Sequence, residues 1–150
     1  MDFSIDPEFQ AQLDWVRDFT AEHIEPLDVL HRHQAFFPLD DELGPIVEPL
    51  KQRVKDEGLW AAHLGPELGG NGFGQLKLAL MNEILGTSSW APIIFGTAAP
   101  DTGNAEIIAH YGTDEQKVRF LEPQLDGRCF SCNSMTRACR CSWCPPTRPA

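Results

Sequence analysis

The chain has 150 residues, of which 42% are hydrophobic and 23% charged, so it is long enough and apolar enough to fold as one globular domain. All 22 acidic residues but only nine of the 12 basic ones lie in residues 1–128, which therefore carry a net charge of −13 and argue against nucleic acid as a partner. No apolar run approaches the length of a membrane span, and the N-terminal MDFSIDPEFQ lacks the basic start and apolar core of a secretory signal, so we expect a cytoplasmic protein.

A first helix is predicted after Asp6, which is suited to cap it, with Pro7 at the first helical position. Its apolar residues recur at helical spacing through about His23, at Phe9, Leu13, Val16 and Phe19. The following segment, IEPLDVLHRHQAFFPLDD, interrupts this pattern with two prolines and is interpreted as a connector.

A second helix is predicted from Asp40 or Asp41 to a stop at Gly58. Its expected buried stripe consists of Leu43, Ile46, Val47, Leu50 and Val54. A glycine-rich loop follows and includes GGNGFG at 69–74. The dinucleotide-binding spacing is G-x-G-x-x-G after a strand; here the spacing differs and no strand precedes it, so a tight loop between helices is favoured over a phosphate-binding turn.

Three further helical segments are predicted. The first starts near Gln75, with Leu76, Leu80, Met81, Ile84 and Leu85 on one side. SSWAPIIFGTAA favours a short buried helix, and PDTGNAEIIAHYG favours another that ends at Gly112. Thr113 and Gln116 have the spacing of a capping box, which starts a last helix that Pro123 is expected to stop. The sequence therefore predicts an all-α fold up to about residue 125.

The residues after the turn signal at 126–128 differ in composition. CFSCNSM can begin a strand, and all five cysteines lie from 129 onward, at Cys129, Cys132, Cys139, Cys141 and Cys144. The six-residue gap between the cysteine pairs is short for a zinc ribbon or finger, although thiolates can bind soft metals. His31 and His33 are a weaker metal candidate, and surface histidines in a loop are the favoured interpretation.

Two blocks of this sequence resemble the N-terminal helical domain of acyl-CoA dehydrogenases. In GLWAAHLGPELGGNGFGQLKLALMNEILG, a Gly-Leu-Trp opening, a Pro-Glu-x-Gly-Gly-x-Gly loop and a Glu-x-Leu-Gly helix end follow in the family's order. GNAEIIAHYGTDEQKVRFLEPQLDGR is similar to the next block, and CFSCNSMT to the first strand of the family's central β-domain.

The resemblance implies an enzyme that holds FAD and oxidises the Cα–Cβ bond of an acyl-CoA thioester. In the family a glutamate base removes the α-proton, a hydride passes to the flavin, and the electrons continue to an electron-transfer flavoprotein. By the same resemblance Thr136 takes the position of a threonine that contacts the flavin, Met135 precedes it in the strand, and Asn133 stands where the family has an aromatic residue. No catalytic residue is assigned, because the family's glutamate lies in a later region.

The chain departs from the family after Thr136, where Thr-Glu-Pro is expected and Thr-Arg-Ala-Cys stands. We therefore interpret it as a truncated acyl-CoA dehydrogenase, inactive alone, with a helical domain at 1–127, the start of a β-domain strand at 128–136, and an aberrant Cys/Arg/Pro tail at 137–150 that is expected to be disordered. The hypothesis that would explain the tail is out-of-frame translation after about codon 136, and the nucleotide sequence there tests it.

Two alternatives stay open at this point. The chain could be a helical binding or regulatory module with a thiol-rich metal-binding tail. It could also be a structural subunit that pairs with a full-length paralogue, or with a second copy, through apolar surface that a β-domain would otherwise cover.

Overall fold

The computed structural model describes residues 5–36, 39, 41–68 and 70–127. Within these residues the fold is all-α, as predicted. The helices are α1 (Pro7–Phe19), α2 (Glu25–His31), α3 (Gly44–Asp56), α4 (Gly74–Leu85), α5 (Ala91–Ile94), α6 (Asp101–Tyr111), α7 (Asp114–Gln116) and α8 (Glu122–Leu125). Two π-helical segments (Thr20–Ile24, Lys117–Leu121) and two 3₁₀ segments (Arg32–Phe36, Pro66–Leu68) join them. None of the described helices is long and apolar enough to cross a membrane.

Helix α1 begins as its sequence predicts. The Asp6 carboxylate accepts a hydrogen bond from the Glu8 amide at 3.1 Å, and Pro7 occupies the first turn. All four predicted apolar positions, Phe9, Leu13, Val16 and Phe19, are buried. This face packs against α4.

The main core lies where α1, α3, α4 and α5 meet. Trp90 and Phe95 are fully buried beside Met81 and Ile94. The Trp90 indole N–H donates to the His31 carbonyl at 3.2 Å, and the Ser88 hydroxyl accepts from the Trp90 and Ala91 amides at the start of α5. The short buried helix predicted here is therefore confirmed, and its polar groups are satisfied.

A second, smaller core joins the loop after α3 to the later helices. It contains Leu64, Ala105, Ala109 and Leu121. The capping box predicted before α7 is present, since Thr113 Oγ1 accepts from the Gln116 amide at 3.3 Å and Gln116 Oε1 from the Thr113 amide at 2.9 Å.

The predicted connector from Ile24 to Asp41 is wrong over most of its described length, because residues 20–36 are helical. The predicted stop at Pro123 is also wrong, since α8 contains it. Both errors have one cause: a π-helical segment ends directly before a Glu-Pro pair, at Glu25-Pro26 and again at Glu122-Pro123. A proline ring clashes with the carbonyl four residues earlier, and the wider π turn moves that carbonyl away so that the helix continues.

Two predicted core positions are exposed. Leu76 is 76% exposed on α4, and Ile46 is 44% exposed on α3. Helix α3 also starts at Gly44 rather than at residue 40 or 41, with a proline in its first turn. Its buried side chains are Val47, Lys51 and Val54, so the stripe is rotated away from Ile46 and includes a lysine.

Candidate functional site

The residues to which the resemblance assigns flavin contact, Asn133, Met135 and Thr136, lie outside the described residues, as do the whole strand at 128–136 and the five cysteines. The structure does describe the place from which that segment starts. Gly127 follows α8 with φ +71°, as expected from the predicted turn signal. The surroundings of this glycine are the candidate site.

The Trp60 indole forms one wall of the site. A Cβ placed on Gly127 would lie 3.2 Å from this ring, and a Cβ on Gly96 would lie only 2.8 Å from it. Both glycines have positive φ, and the ring therefore packs directly on their backbone. The indole nitrogen is buried and has no hydrogen-bond partner among the described residues.

The loop that carries Trp60 is fixed by its backbone. Ala61 adopts φ +51°, which is unfavourable for a residue with a Cβ. Its amide donates to the Phe95 carbonyl at 3.1 Å, and its carbonyl accepts from the Leu64 amide at 3.1 Å. The first bond ties the loop to the end of α5 and the second closes the loop on itself, and together they hold Trp60 against Gly96 and Gly127.

Two lysines of α3 form the other wall. Lys55 Nζ donates to the Asp126 carbonyl at 2.7 Å and lies 4.9 Å from the centre of the Trp60 ring. Lys51 Nζ donates to the Gly127 carbonyl at 3.4 Å and to Glu48 Oε1 at 2.8 Å. We call Lys51, Lys55, Trp60 and Gly127 the exit clamp.

Lys51 is 1% exposed. Burial lowers the pKa of its ammonium group, and the hydrogen bond and charge of Glu48 oppose that effect. The lysine therefore depends on these oxygen partners to stay charged in an apolar helix face.

His63 lies three residues after Trp60 in the same loop. Both ring nitrogens are buried without a hydrogen-bond partner among the described residues. This burial lowers the pKa of the imidazole, while the nearby Glu106 carboxylate raises it by a smaller amount. The folded protein thus favours the neutral ring.

The other sequence candidates do not converge on this site. His31 Nδ1 lies 2.7 Å from Gln34 Oε1, and no group of three potential metal ligands occurs among the described residues. In the glycine-rich loop, Gly70 and Gly72 lie against Leu64 and Pro66 with no room for a Cβ. That close packing explains the glycines as parts of an interhelical loop.

A groove of about 570 Å³ runs between α1 and α4. Leu13, Leu80 and Ile84 line it together with Glu25 and Glu83. Its one lining guanidinium, Arg17, is paired with Asp14 at 3.0 Å. A dinucleotide needs backbone amides or free cations for its phosphates, so this groove does not fit FAD.

Sequence reasoning missed the exit clamp. One signal was present, because Lys51 follows Val47 by four residues and precedes Val54 by three, which places a lysine on the apolar stripe of α3. A charged residue at such a position needs a buried partner. The partner carbonyls, 71 and 76 residues later in the chain, left no signal in the sequence.

Comparison with known proteins agrees with this architecture. Residues 6–128 match the family model for the acyl-CoA dehydrogenase N-terminal domain. The chain is 42% identical over 124 residues to mouse acyl-CoA dehydrogenase family member 10, covering 79% of this chain and 12% of that protein. It is 37% identical over 139 residues to FadE2 of Mycobacterium tuberculosis, described as an acyl-CoA dehydrogenase, covering 91% of this chain and 33% of that one.

A solved structure from Mycobacterium abscessus, assigned as an acyl-CoA dehydrogenase, superposes with a TM-score of 0.70 at 34% identity, over 84% of this chain and 33% of that chain. The chain thus spans a third or less of the length of these relatives. Family match, sequence identity and superposition agree, and the chain belongs to the acyl-CoA dehydrogenase family.

Proposed function

We propose that this chain provides the N-terminal helical part of an enzyme that oxidises the Cα–Cβ bond of acyl-CoA thioesters. The observation that carries the proposal is the match of residues 6–128 to the family's N-terminal domain, together with the identity to proteins described as acyl-CoA dehydrogenases. FAD, when bound, would accept the hydride, and an electron-transfer flavoprotein would accept the electrons. The cytoplasmic location expected from the sequence stays a prediction.

In this proposal the helical domain has a supporting role. It buries its own core and starts the segment 128–136, to which the resemblance assigns Asn133, Met135 and Thr136 beside the flavin. The family's glutamate base belongs to a later region. The 150-residue chain alone is therefore expected to bind no FAD stoichiometrically and to oxidise no acyl-CoA, since base and hydride acceptor must both lie about 3–3.5 Å from the reacting atoms.

The test is to purify the chain, add FAD, remove the excess, and record flavin absorbance before and after adding acyl-CoA thioesters of short, medium and long chain. We expect no retained flavin and no bleaching. A full-length acyl-CoA dehydrogenase of established activity is the positive control. Retained flavin that acyl-CoA reduces would overturn the proposed inactivity and would still support the family reaction.

A second candidate role is association with a full-length relative or with another copy of the chain. Exposed apolar side chains on α6 and on the π-helical segment after α7 favour it: Ile107 is 61% exposed and Tyr111 86%, and Val118 and Phe120 are also exposed. The metal-binding alternative rests on cysteines outside the described residues. Stoichiometric zinc that is lost on mutating Cys139, Cys141 and Cys144 would support it.

A further inference from the structure

Two lysines on one turn of α3 contact successive carbonyls at the end of the described chain. Lys55 holds the carbonyl of Asp126 and Lys51 that of Gly127, at 2.7 and 3.4 Å. The two lysines are four residues apart, so their side chains leave the same face of the helix. The last described turn is thus fixed at two consecutive peptide groups, which restricts its rotation more than one bond would.

Burying the ammonium group of Lys51 is unfavourable unless that group makes compensating hydrogen bonds. A methionine or leucine at this position would pack in the same apolar stripe without burying a charge. Lys51 instead has its ammonium group among Glu48 Oε1 and the Gly127 carbonyl. Its hydrogen bonds fix the geometry of the chain at Gly127, which a hydrophobic residue could not do.

The third contact is steric. Gly127 is buried, its φ of +71° suits glycine, and the Trp60 ring and Lys55 Nζ would lie 3.2 and 3.4 Å from an added Cβ. The backbone at Gly127 therefore lies against both the indole ring and the Lys55 ammonium group. Two hydrogen bonds and one aromatic surface define both the position and the direction of the chain here.

We infer that Lys51 and Lys55, with Trp60, are positioning residues that fix the turn at Asp126 and Gly127, where the described helical domain ends. The inference rests on the proposed function, in which the segment 128–136 contacts the flavin.

The experiment measures amide hydrogen exchange by mass spectrometry on the 150-residue chain and its variants Lys51→Met, Lys51→Arg and Lys55→Met. Lys77→Met is the matched control, because Lys77 also lies over an aromatic ring, 4.8 Å from the centre of Phe9, but belongs to α4. Exchange is compared between a peptide spanning 122–136 and a peptide from α1.

We expect Lys51→Met and Lys55→Met to speed exchange in the 122–136 peptide by about fivefold or more, and to leave the α1 peptide within about twofold, because local opening is independent of global unfolding. Lys51→Arg should restore most of the protection, and Lys77→Met should leave the 122–136 peptide unchanged.

Two results would overturn the inference. One is unchanged exchange in the 122–136 peptide in both methionine variants. The other is an equal acceleration in every peptide, which would make the lysines ordinary stabilising residues. If Lys51→Met does not fold, the less buried Lys55 carries the test. The readout needs no flavin, so its outcome is separate from that of the flavin experiment above.

Discussion

At the scale of single residues, the burial of His63 has a consequence for how stability depends on pH. Its ring is buried without hydrogen-bond partners among the described residues, and burial lowers the pKa of the imidazole. The unfolded chain takes up a proton near the ordinary pKa of 6.5, whereas the folded protein does so only at lower pH. Stability is therefore complete above about pH 6.5 and falls as the pH drops below it, until the folded pKa is passed.

We predict that the wild-type chain loses stability between pH 7.5 and 5.5 more steeply than His63→Gln. The difference in slope cannot exceed the value for one proton, about 1.4 kcal/mol per pH unit. Urea denaturation at several pH values measures it. His110→Gln, which removes an exposed histidine from α6, is the matched control. Parallel pH profiles for wild type and His63→Gln would contradict the prediction.

Which residues of a helix are buried could be predicted only in part. Periodicity placed Phe9, Leu13, Val16 and Phe19 correctly, since α1 has one apolar face. It placed Leu76 wrongly, because α4 carries apolar residues around more of its circumference than the core can cover. It placed Ile46 wrongly, because the buried stripe of α3 runs through Val47, Lys51 and Val54. The rotation of each helix is decided by which neighbours it meets, and that information is not local in the sequence.

At the scale of elements, the cap before α7 can be tested on its own. Thr113 and Gln116 satisfy each other's backbone amides at the start of a helix. Thr113→Ala should lower the free energy of unfolding by about 1 kcal/mol, the usual value of such a cap. Thr113→Ser keeps the hydroxyl and should cost a few tenths of that. Chemical denaturation separates the two, and equal stabilities for both variants would show that the capping box contributes nothing.

Capping residues, glycine stops and apolar spacing predicted correctly where helices form. Gly58, with φ +69°, and Gly112 end elements where the sequence predicts an end. The sequence did not predict that the helices continue through a proline, because a proline ordinarily stops a helix. Only the backbone reveals that a π turn before Pro26 and Pro123 allows the helix to continue.

At the scale of the whole molecule, exposed apolar surface predicts association. Ile107 and Tyr111 are four residues apart on α6 and form a continuous exposed strip. If the chain self-associates, the double variant Ile107→Ser, Tyr111→Ser should weaken dimerisation roughly tenfold. Leu76→Ser, which removes a similarly exposed residue from α4, should not. Sedimentation velocity over a range of concentrations measures this, and a wild-type chain that stays monomeric throughout would exclude the association.

The family and the all-α fold could be recognised because their motifs are local: Gly-Leu-Trp, the glycine-rich loop and Tyr-Gly-Thr-x-Glu-Gln-Lys. The residues assigned to flavin contact, Asn133, Met135 and Thr136, stay predictions, since they lie outside the described residues. The exit clamp could not be predicted from the sequence, because it joins residues that are far apart in the chain.

The contact between Trp60 and Gly127 also has a consequence for synthesis. The part of the ring that meets Gly127 cannot be covered until that glycine has left the ribosome, 67 residues later, which at typical elongation rates takes about 3–13 s. During that interval α1, α3 and α5 can already assemble their core and Gly96 can pack on the indole, while the carbonyls that Lys51 and Lys55 contact are still missing. The turn at Asp126 and Gly127 is therefore fixed last, on a surface that the earlier helices have already built.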